Sequence, residues 1–266
     1  MFDPEEKTYE EIIGSLRATK QINDEVFIFS GLSQGFRPPS LYDLTSTDET
    51  SAVESPNTQL DPEKFLQAEL GIRGGAGSWE WQTSYYYTWI KDMIVRSPIE
   101  SGKSDVLKSN GDGLIQGVEL ELGYKWTPSW KSDLSFSWMD GEVEQMLDNN
   151  ATGTVAINGR NYSPVKRATT RLMPVQVKFT TEYKPVHANW SSALSFLAVS
   201  KADDLSLKDA TDITRIPSNG TPGYFLANIY GNYDISDSSS ISLALENIGD
   251  VDYRVHGSGL NGADRN

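Results

Sequence analysis

The chain has 266 residues, no cysteine, 23 Lys and Arg, 37 Asp and Glu, and a formal net charge of −14. The excess of acid argues against a nucleic-acid partner, because such proteins need cations to neutralise phosphates. No apolar run reaches the roughly 18 residues that a membrane-spanning helix requires. The informative patterns in this sequence are shorter alternations of apolar and polar residues.

Alternation of apolar and polar residues predicts ten β-strands. Between positions 79 and 89, Trp and Tyr recur at alternate positions, with Glu80, Gln82 and Ser84 between them. The same period of two recurs along the chain. The predicted strands, in chain order, are 9–19, 25–35, 62–74, 78–96, 113–125, 130–141, 174–184, 189–200, 222–234 and 239–250.

The connections between these strands alternate strictly in length. The short ones are 19–25, 74–78, 126–130, 184–189 and 234–239. The long ones are 34–62, 97–113, 142–174 and 201–222, and a last one opens at Val255. Short periplasmic turns on one rim and long extracellular loops on the other are typical of antiparallel barrels in bacterial outer membranes. The predicted fold is therefore all-β: part of an antiparallel up-and-down transmembrane β-barrel, present as an open sheet of about ten strands.

A barrel wall has one face toward lipid and one toward the lumen. A charge at the bilayer midplane costs about 2–4 kcal/mol for Lys or Arg. We therefore expect the charged positions to face the lumen, namely Glu119, Glu121, Lys178 and Glu182. The positions expected on the convex, lipid side are Trp81, Tyr85, Trp89, Leu120, Leu122, Phe179 and Leu243.

Four segments, in order, resemble the barrel of TonB-dependent outer-membrane receptors. Residues 33–44 (SQGFRPPSLYDL) resemble the family's GFR-x-P segment, and residues 57–63 (NTQLDPE) resemble N-x-x-L-x-P-E. Residues 111–122 (GDGLIQGVELEL) and 245–254 (LENIGDVDYR) resemble two further strand motifs. Pro38, Pro39 and Pro62 also fit strand ends, where a missing amide costs little.

The resemblance implies a barrel of about 22 strands, plugged by an N-terminal domain. It further implies uptake of a scarce cargo, such as a ferric siderophore, cobalamin, haem or a glycan, driven by the TonB complex through the N-terminal part. Of these cargoes we expect a ferric siderophore. It places the parent protein in the outer membrane of a Gram-negative bacterium, in contact with lipid and lipopolysaccharide. By this comparison residues 1–266 are the C-terminal part of the barrel, without plug or final strand. We expect no transport from this chain alone.

The candidate cargo-binding residues lie in the expected extracellular loops. Arg37 and Tyr42 belong to the first motif, and a basic cluster precedes Pro174. A lone imidazole in the last loop is either a solvated residue or a ligand. The candidates are Arg37, Tyr42, Arg160, Arg167, Arg171 and His256. Between Arg37 and Asn57 there is no His, which argues against haem as the cargo.

Other functions remain open at this point. The sequence shows no nucleophile–base pair and no metal-ligand spacing, so we expect neither an enzyme nor a cofactor. A passive porin, an adhesin barrel, a non-functional truncated gene product and a soluble β-sandwich are the alternatives.

Overall fold

The computed structural model describes residues 8–45, 54–98, 106–149, 152–157 and 160–259. Its five-residue helix α1 spans Leu41–Thr45, and no helix among the described residues is long and apolar enough to cross a membrane. The strands are β1 Ser15–Gln21, β2 Val26–Arg37, β3 Glu54–Ser55, β4 Glu63–Ala76, β5 Trp79–Pro98, β6 Val106–Thr127, β7 Trp130–Asp148, β8 Val155–Ile157, β9 Arg160–Ala168, β10 Gln176–Tyr183, β11 Trp190–Val199, β12 Tyr224–Ser236 and β13 Ser239–Leu245.

Ten of the described strands form one path of neighbours. The order is β1-β2-β4-β5-β6-β7-β10-β11-β12-β13, and each adjacent pair is antiparallel. Among the described residues β1 and β13 do not pair with each other, so the sheet is open. Two-residue turns at 77–78, 128–129 and 237–238 alternate with long connections. The predicted up-and-down antiparallel sheet is confirmed.

The register gives the sheet one apolar and one polar face. Side chains directly opposite in neighbouring strands share a face. Trp81 pairs with Leu122, and Leu122 pairs with Leu134, which in turn pairs with Phe179. On the other face Glu121 pairs with Gln82 and Ser135. Register and alternation together confirm that the predicted apolar set shares one face and the predicted charged set shares the other.

Aromatic rings join the strands on the apolar face. At the rim of short turns, Tyr124 lies 4.4 Å from Trp79 and 4.5 Å from Trp126, measured between ring centroids. Further along the same rim, Tyr183 lies 5.1 Å from Trp130 and 5.8 Å from Trp190. Toward mid-strand, stacked rings join three strands, Phe179 to Phe196 at 6.4 Å and Phe196 to Phe225 at 5.9 Å. Such pairs each contribute about 0.5–1.5 kcal/mol beyond the area they bury.

The predicted boundaries were wrong at both ends of the sheet. The first strand spans Ser15–Gln21 rather than 9–19. It continues past residue 19 because its tight turn closes only at Ile22, whose amide donates to Val26 O at 2.8 Å. The last strand ends at Leu245 rather than residue 250. There Asn247 leaves the ladder at a φ of 51°, and its side-chain oxygen accepts the Val251 amide at 3.0 Å.

The third long connection was wrongly predicted as a loop throughout. Strand β7 continues to Asp148, and β9 pairs back onto it while β8 pairs with β9. This hairpin packs over β6 through a small apolar core of Leu107, Met146 and Tyr162. Asn158 and Gly159, between β8 and β9, are outside the described residues, but an Asn-Gly pair is a strong hairpin signal in sequence.

Candidate functional site

Arg37, the last residue of β2, fastens the first long loop. Its Nη2 donates to Glu63 Oε1 at 2.7 Å, its Nε donates to Glu63 Oε2, and its Nη1 donates to Asp43 Oδ2 at 3.0 Å. The same Asp43 oxygen accepts the Ser40 amide at 2.9 Å and caps helix α1. Burial alone would raise the pKa of Asp43, but hydrogen bonds from Ser40 and then Arg37 outweigh it and lower that pKa. Arg37 is thus engaged by two carboxylates.

Tyr42 covers a buried ion pair. The carbonyl oxygen of Tyr42 accepts a hydrogen bond from Lys108 Nζ at 2.8 Å, and the centroid of the Tyr42 ring lies 4.3 Å from that nitrogen. Lys108 is fully buried and lies 2.9 Å from Glu54 Oε2, while Arg96 Nη2 lies 3.3 Å from the other carboxylate oxygen. The contacts described for Tyr42 therefore tie α1 to the extension of β5 and β6.

The predicted basic cluster before Pro174 is not one site. Arg160 and Arg167 begin and nearly end β9, so they are about 23 Å apart along an extended strand. Arg160 Nε lies 3.6 Å from Asp148 Oδ1, too long for a hydrogen bond. Arg167 is exposed and pairs with Val143, whose odd position in β7 belongs to the polar face.

Arg171 and His256, 85 positions apart in sequence, do come together. The Arg171 amide donates to Asp209 Oδ2 at 2.7 Å, at a positive φ of 57°. His256 Nδ1 lies 2.9 Å from the hydroxyl of Thr221. Burial lowers the pKa of His256, Asp209 opposes that shift, and Arg171 adds to it. His256 is 7% exposed, so the alternative of a solvated loop residue is wrong.

Sequence reasoning did not single out two further arginines beside this cluster. Gly257 and Gly259 both have a φ of 74°, which favours glycine. A β-carbon at Gly257 would lie 2.9 Å from Arg171 Cδ, and one at Gly259 would lie 3.0 Å from Arg215 Cγ. Arg254 Nη1 donates to the carbonyls of residues 214 and 215, at 3.4 and 3.5 Å. The sequence signal was the Gly-Ser-Gly segment at 257–259, which begins three residues after Arg254.

In the part of the chain that the structure describes, the acidic and imidazole side chains of the polar face and its loops are the candidate metal ligands. Among the described residues, no three His, Cys, Asp or Glu side chains are grouped so as to hold an ion. What the loops offer instead is cationic side chains above a polar sheet face, an arrangement that can bind oxygen anions.

Comparison with known proteins gives consistent results. A family model described as "TonB dependent receptor-like, beta-barrel" matches residues 6–248. The pesticin receptor of Yersinia pestis is 28% identical over 127 residues, which are 47% of this chain and 18% of that protein. The vitamin B12 transporter BtuB of Photobacterium profundum is 23% identical over 241 residues, 90% of this chain and 34% of that protein.

Solved structures share the fold. The copper transporter OprC matches with a TM-score of 0.71 and 21% identity, covering 92% of this chain and 34% of that one. The ferric yersiniabactin uptake receptor FyuA from Yersinia pestis matches with a TM-score of 0.60 and 17% identity, covering 95% and 34%. The chain thus spans about a third, or less, of the length of these relatives.

Proposed function

This chain belongs to the TonB-dependent receptor family, and on that premise we propose that it forms barrel wall in a receptor for ferric siderophores. The family is one of transport receptors rather than enzymes, and it binds small cargo and works with TonB. In this proposal residues 1–266 are the C-terminal part of the barrel, set in the outer membrane of a Gram-negative bacterium. TonB acts through other parts of the receptor.

The observation that carries the proposal is the position of Arg167. It is an exposed cation on the polar face of β9, at the rim where the long loops gather. Among the described residues no carboxylate forms an ion pair with its guanidinium, whereas Lys166 beside it pairs with Glu142 at 2.8 Å. A planar guanidinium that is exposed among the long loops suits the paired oxygen donors of an anionic chelate.

The named relatives support the same class of cargo. Pesticin receptors and a ferric yersiniabactin uptake receptor are among them. Other relatives are named for vitamin B12 and copper, so a test of cargo has to include these two compounds. In this proposal Arg37, Tyr42 and His256 hold the loops in shape through their hydrogen bonds. Arg160 stabilises β9 by its charge, which lies 3.6 Å from Asp148.

In this proposal the apolar face of the sheet contacts the lipid of the outer membrane. Its exposed large side chains include Trp89, Tyr85, Phe179 and Leu243. Lipid acyl chains would cover this face, because side chains without charge can enter the bilayer core at no electrostatic cost. Lipopolysaccharide would surround the rim of long loops.

A chimeric receptor tests the proposal. This chain replaces the matching barrel segment of a ferric-siderophore receptor in a strain that lacks its own receptors. We expect radioiron uptake from ferric siderophores that is lost in a strain without TonB, and no uptake of cobalamin or copper. Arg167→Gln should lower siderophore uptake several-fold.

Lys166→Gln is the matched control, because it removes an exposed positive charge from the adjacent position of the same strand, where Glu142 already pairs with it at 2.8 Å. Equal loss in the two variants would argue for a general folding defect. Uptake that persists without TonB would instead favour a passive pore.

A further inference from the structure

We propose that Arg171 and Arg215, held against the Gly257–Gly259 turn, form a binding site selective for anionic metal chelates over neutral ones. The identity of the natural ligand, a negatively charged ferric siderophore, rests on the proposed function. The site itself is argued from the geometry of three loops, which meet only in the folded chain.

The turn fixes the spacing of the two arginines. Gly257 and Gly259 are two residues apart, so their Cα atoms are at most about 7 Å apart. The Arg171 stem contacts the first glycine and the Arg215 stem contacts the second, and an added β-carbon would meet them at 2.9 and 3.0 Å. The stems of the two arginines therefore lie against neighbouring positions of the same turn.

Three contacts hold the turn in place. His256, directly before it, shares a 2.9 Å hydrogen bond with buried Thr221. Arg254 donates to the carbonyls of residues 214 and 215, which carry the second arginine. The Arg171 amide is bound by Asp209, which is 3% exposed. The backbone that carries each arginine is therefore fixed before an anion binds, which reduces the entropy lost on binding.

The carboxylates nearby leave the guanidinium groups accessible. Asp209 is committed to the backbone of Arg171, at 2.7 Å. Asp212 lies 3.8 Å from Arg215 Nη1, beyond hydrogen-bond reach, and it accepts the Thr214 hydroxyl at 2.9 Å. Arg215 remains 53% exposed at its side chain. In a chain of net charge −14, two cations placed together select for anions locally.

Two probes of similar size and shape separate charge from fit. The full chain, refolded in detergent, is titrated with an anionic ferric tris-catecholate and with a neutral ferric tris-hydroxamate, while tryptophan fluorescence is followed. We expect tighter binding of the anionic chelate. Arg171→Gln and Arg215→Gln should each weaken it about tenfold and leave the neutral chelate unchanged.

Arg17→Gln is the control, because it removes the same charge from β1, far along the sheet. Arg215→Lys should give an intermediate loss, since it keeps the charge but not the planar fork. Equal affinity for the two chelates, or anionic binding unaffected by both Gln variants, would overturn the inference. A loss of neutral-chelate binding in these variants would do the same, since it would mean that charge is not what the arginines contribute.

The outcome is separable from the proposed function. Chelate selectivity in the isolated chain together with no uptake by the chimera would leave this site standing and reject the receptor function. Uptake by the chimera that is unchanged in the Arg171 and Arg215 variants would keep the function and reject the site.

Discussion

The imidazole Nδ1 of His256 lies 2.9 Å from the hydroxyl oxygen of Thr221, and 2% of Thr221 and 7% of His256 are exposed. Thr221 also exchanges two backbone hydrogen bonds with Ala202, at 2.8 and 3.0 Å. This single contact therefore joins the loop after β13 to both ends of the loop before β12. The loops form a connected unit.

Acidification should open this unit. Burial lowers the pKa of His256 below its ordinary 6.5, so the closed loops favour the neutral imidazole and the opened loops take up the proton more readily. The stability that neutral His256 gives to the closed loops is therefore fully present above about pH 6.5, and it is lost as the pH falls below that value. Limited proteolysis within residues 200–222 should be faster near pH 5 than at neutral pH. His256→Gln should remove this difference, and a variant with the same pH dependence as the parent would contradict the assignment.

Two glycines on opposite faces of the sheet differ in the space beside them. Gly71 shares the polar face with Phe29, and Gly231 lies on the apolar face opposite Leu243. A β-carbon built at Gly71 would overlap the ring of Phe29, whereas one at Gly231 meets nothing within 4 Å. Gly71→Ala should lower the free energy of unfolding by about 1–3 kcal/mol, because the ring must move. Gly231→Ala should be neutral or slightly stabilising. Urea unfolding in detergent micelles measures both, and Gly71→Ala should cost little when Phe29→Ala is already present, because no ring remains to be displaced.

The buried pair of Lys108 and Glu54 should respond asymmetrically. Lys108→Met leaves a carboxylate that is 7% exposed, and removing one partner of a buried pair costs about 3–5 kcal/mol. Arg96, 3.3 Å from Glu54, reduces that cost. Lys108→Met combined with Glu54→Gln should unfold at a higher urea concentration than Lys108→Met alone. A double variant less stable than the single one would mean that the charge pair is not the stabilising element.

The Arg37 fork should depend on shape as well as charge. Its side chain is 45% exposed, so solvent weakens the pairing, and Arg37→Gln should cost about 1 kcal/mol. Arg37→Lys keeps the charge but cannot bind Glu63 with two nitrogens. Its free energy of unfolding should therefore lie between those of the parent and of Arg37→Gln. The same unfolding measurement decides this. A lysine variant no more stable than the glutamine variant would show that charge alone contributes nothing.

The faces of the strands could be predicted because period-two alternation is a local property. Leu120, Leu122 and Glu121 needed no knowledge of their neighbours to be assigned to opposite faces. The hairpin of β8 and β9 could not be found in that way, because its apolar residues serve a small core formed with Leu107 of a distant strand.

The candidate site was harder to predict, because its members come from three separate loops. Arg171 was identified from a local run of basic residues, although its neighbour in space is His256, 85 positions later. Arg215 shows no local pattern, and Arg254 ends the 245–254 motif without any local sign of a site. The close approach of Gly259 to Arg215 and the hydrogen bonds from Arg254 to the carbonyls of residues 214 and 215 reveal both. Nor could composition show that Arg37 is engaged by Glu63 and Asp43.

The even number of strands in the main path, ten among the described residues, has a consequence for inheritance. A run of ten antiparallel strands starts and finishes at the same rim, so both of its flanking joints lie among the long loops. Such a block can be duplicated, deleted or exchanged between genes without inverting the direction of any strand outside it. A segment with this parity can therefore recombine as a unit, and its long loops go with it.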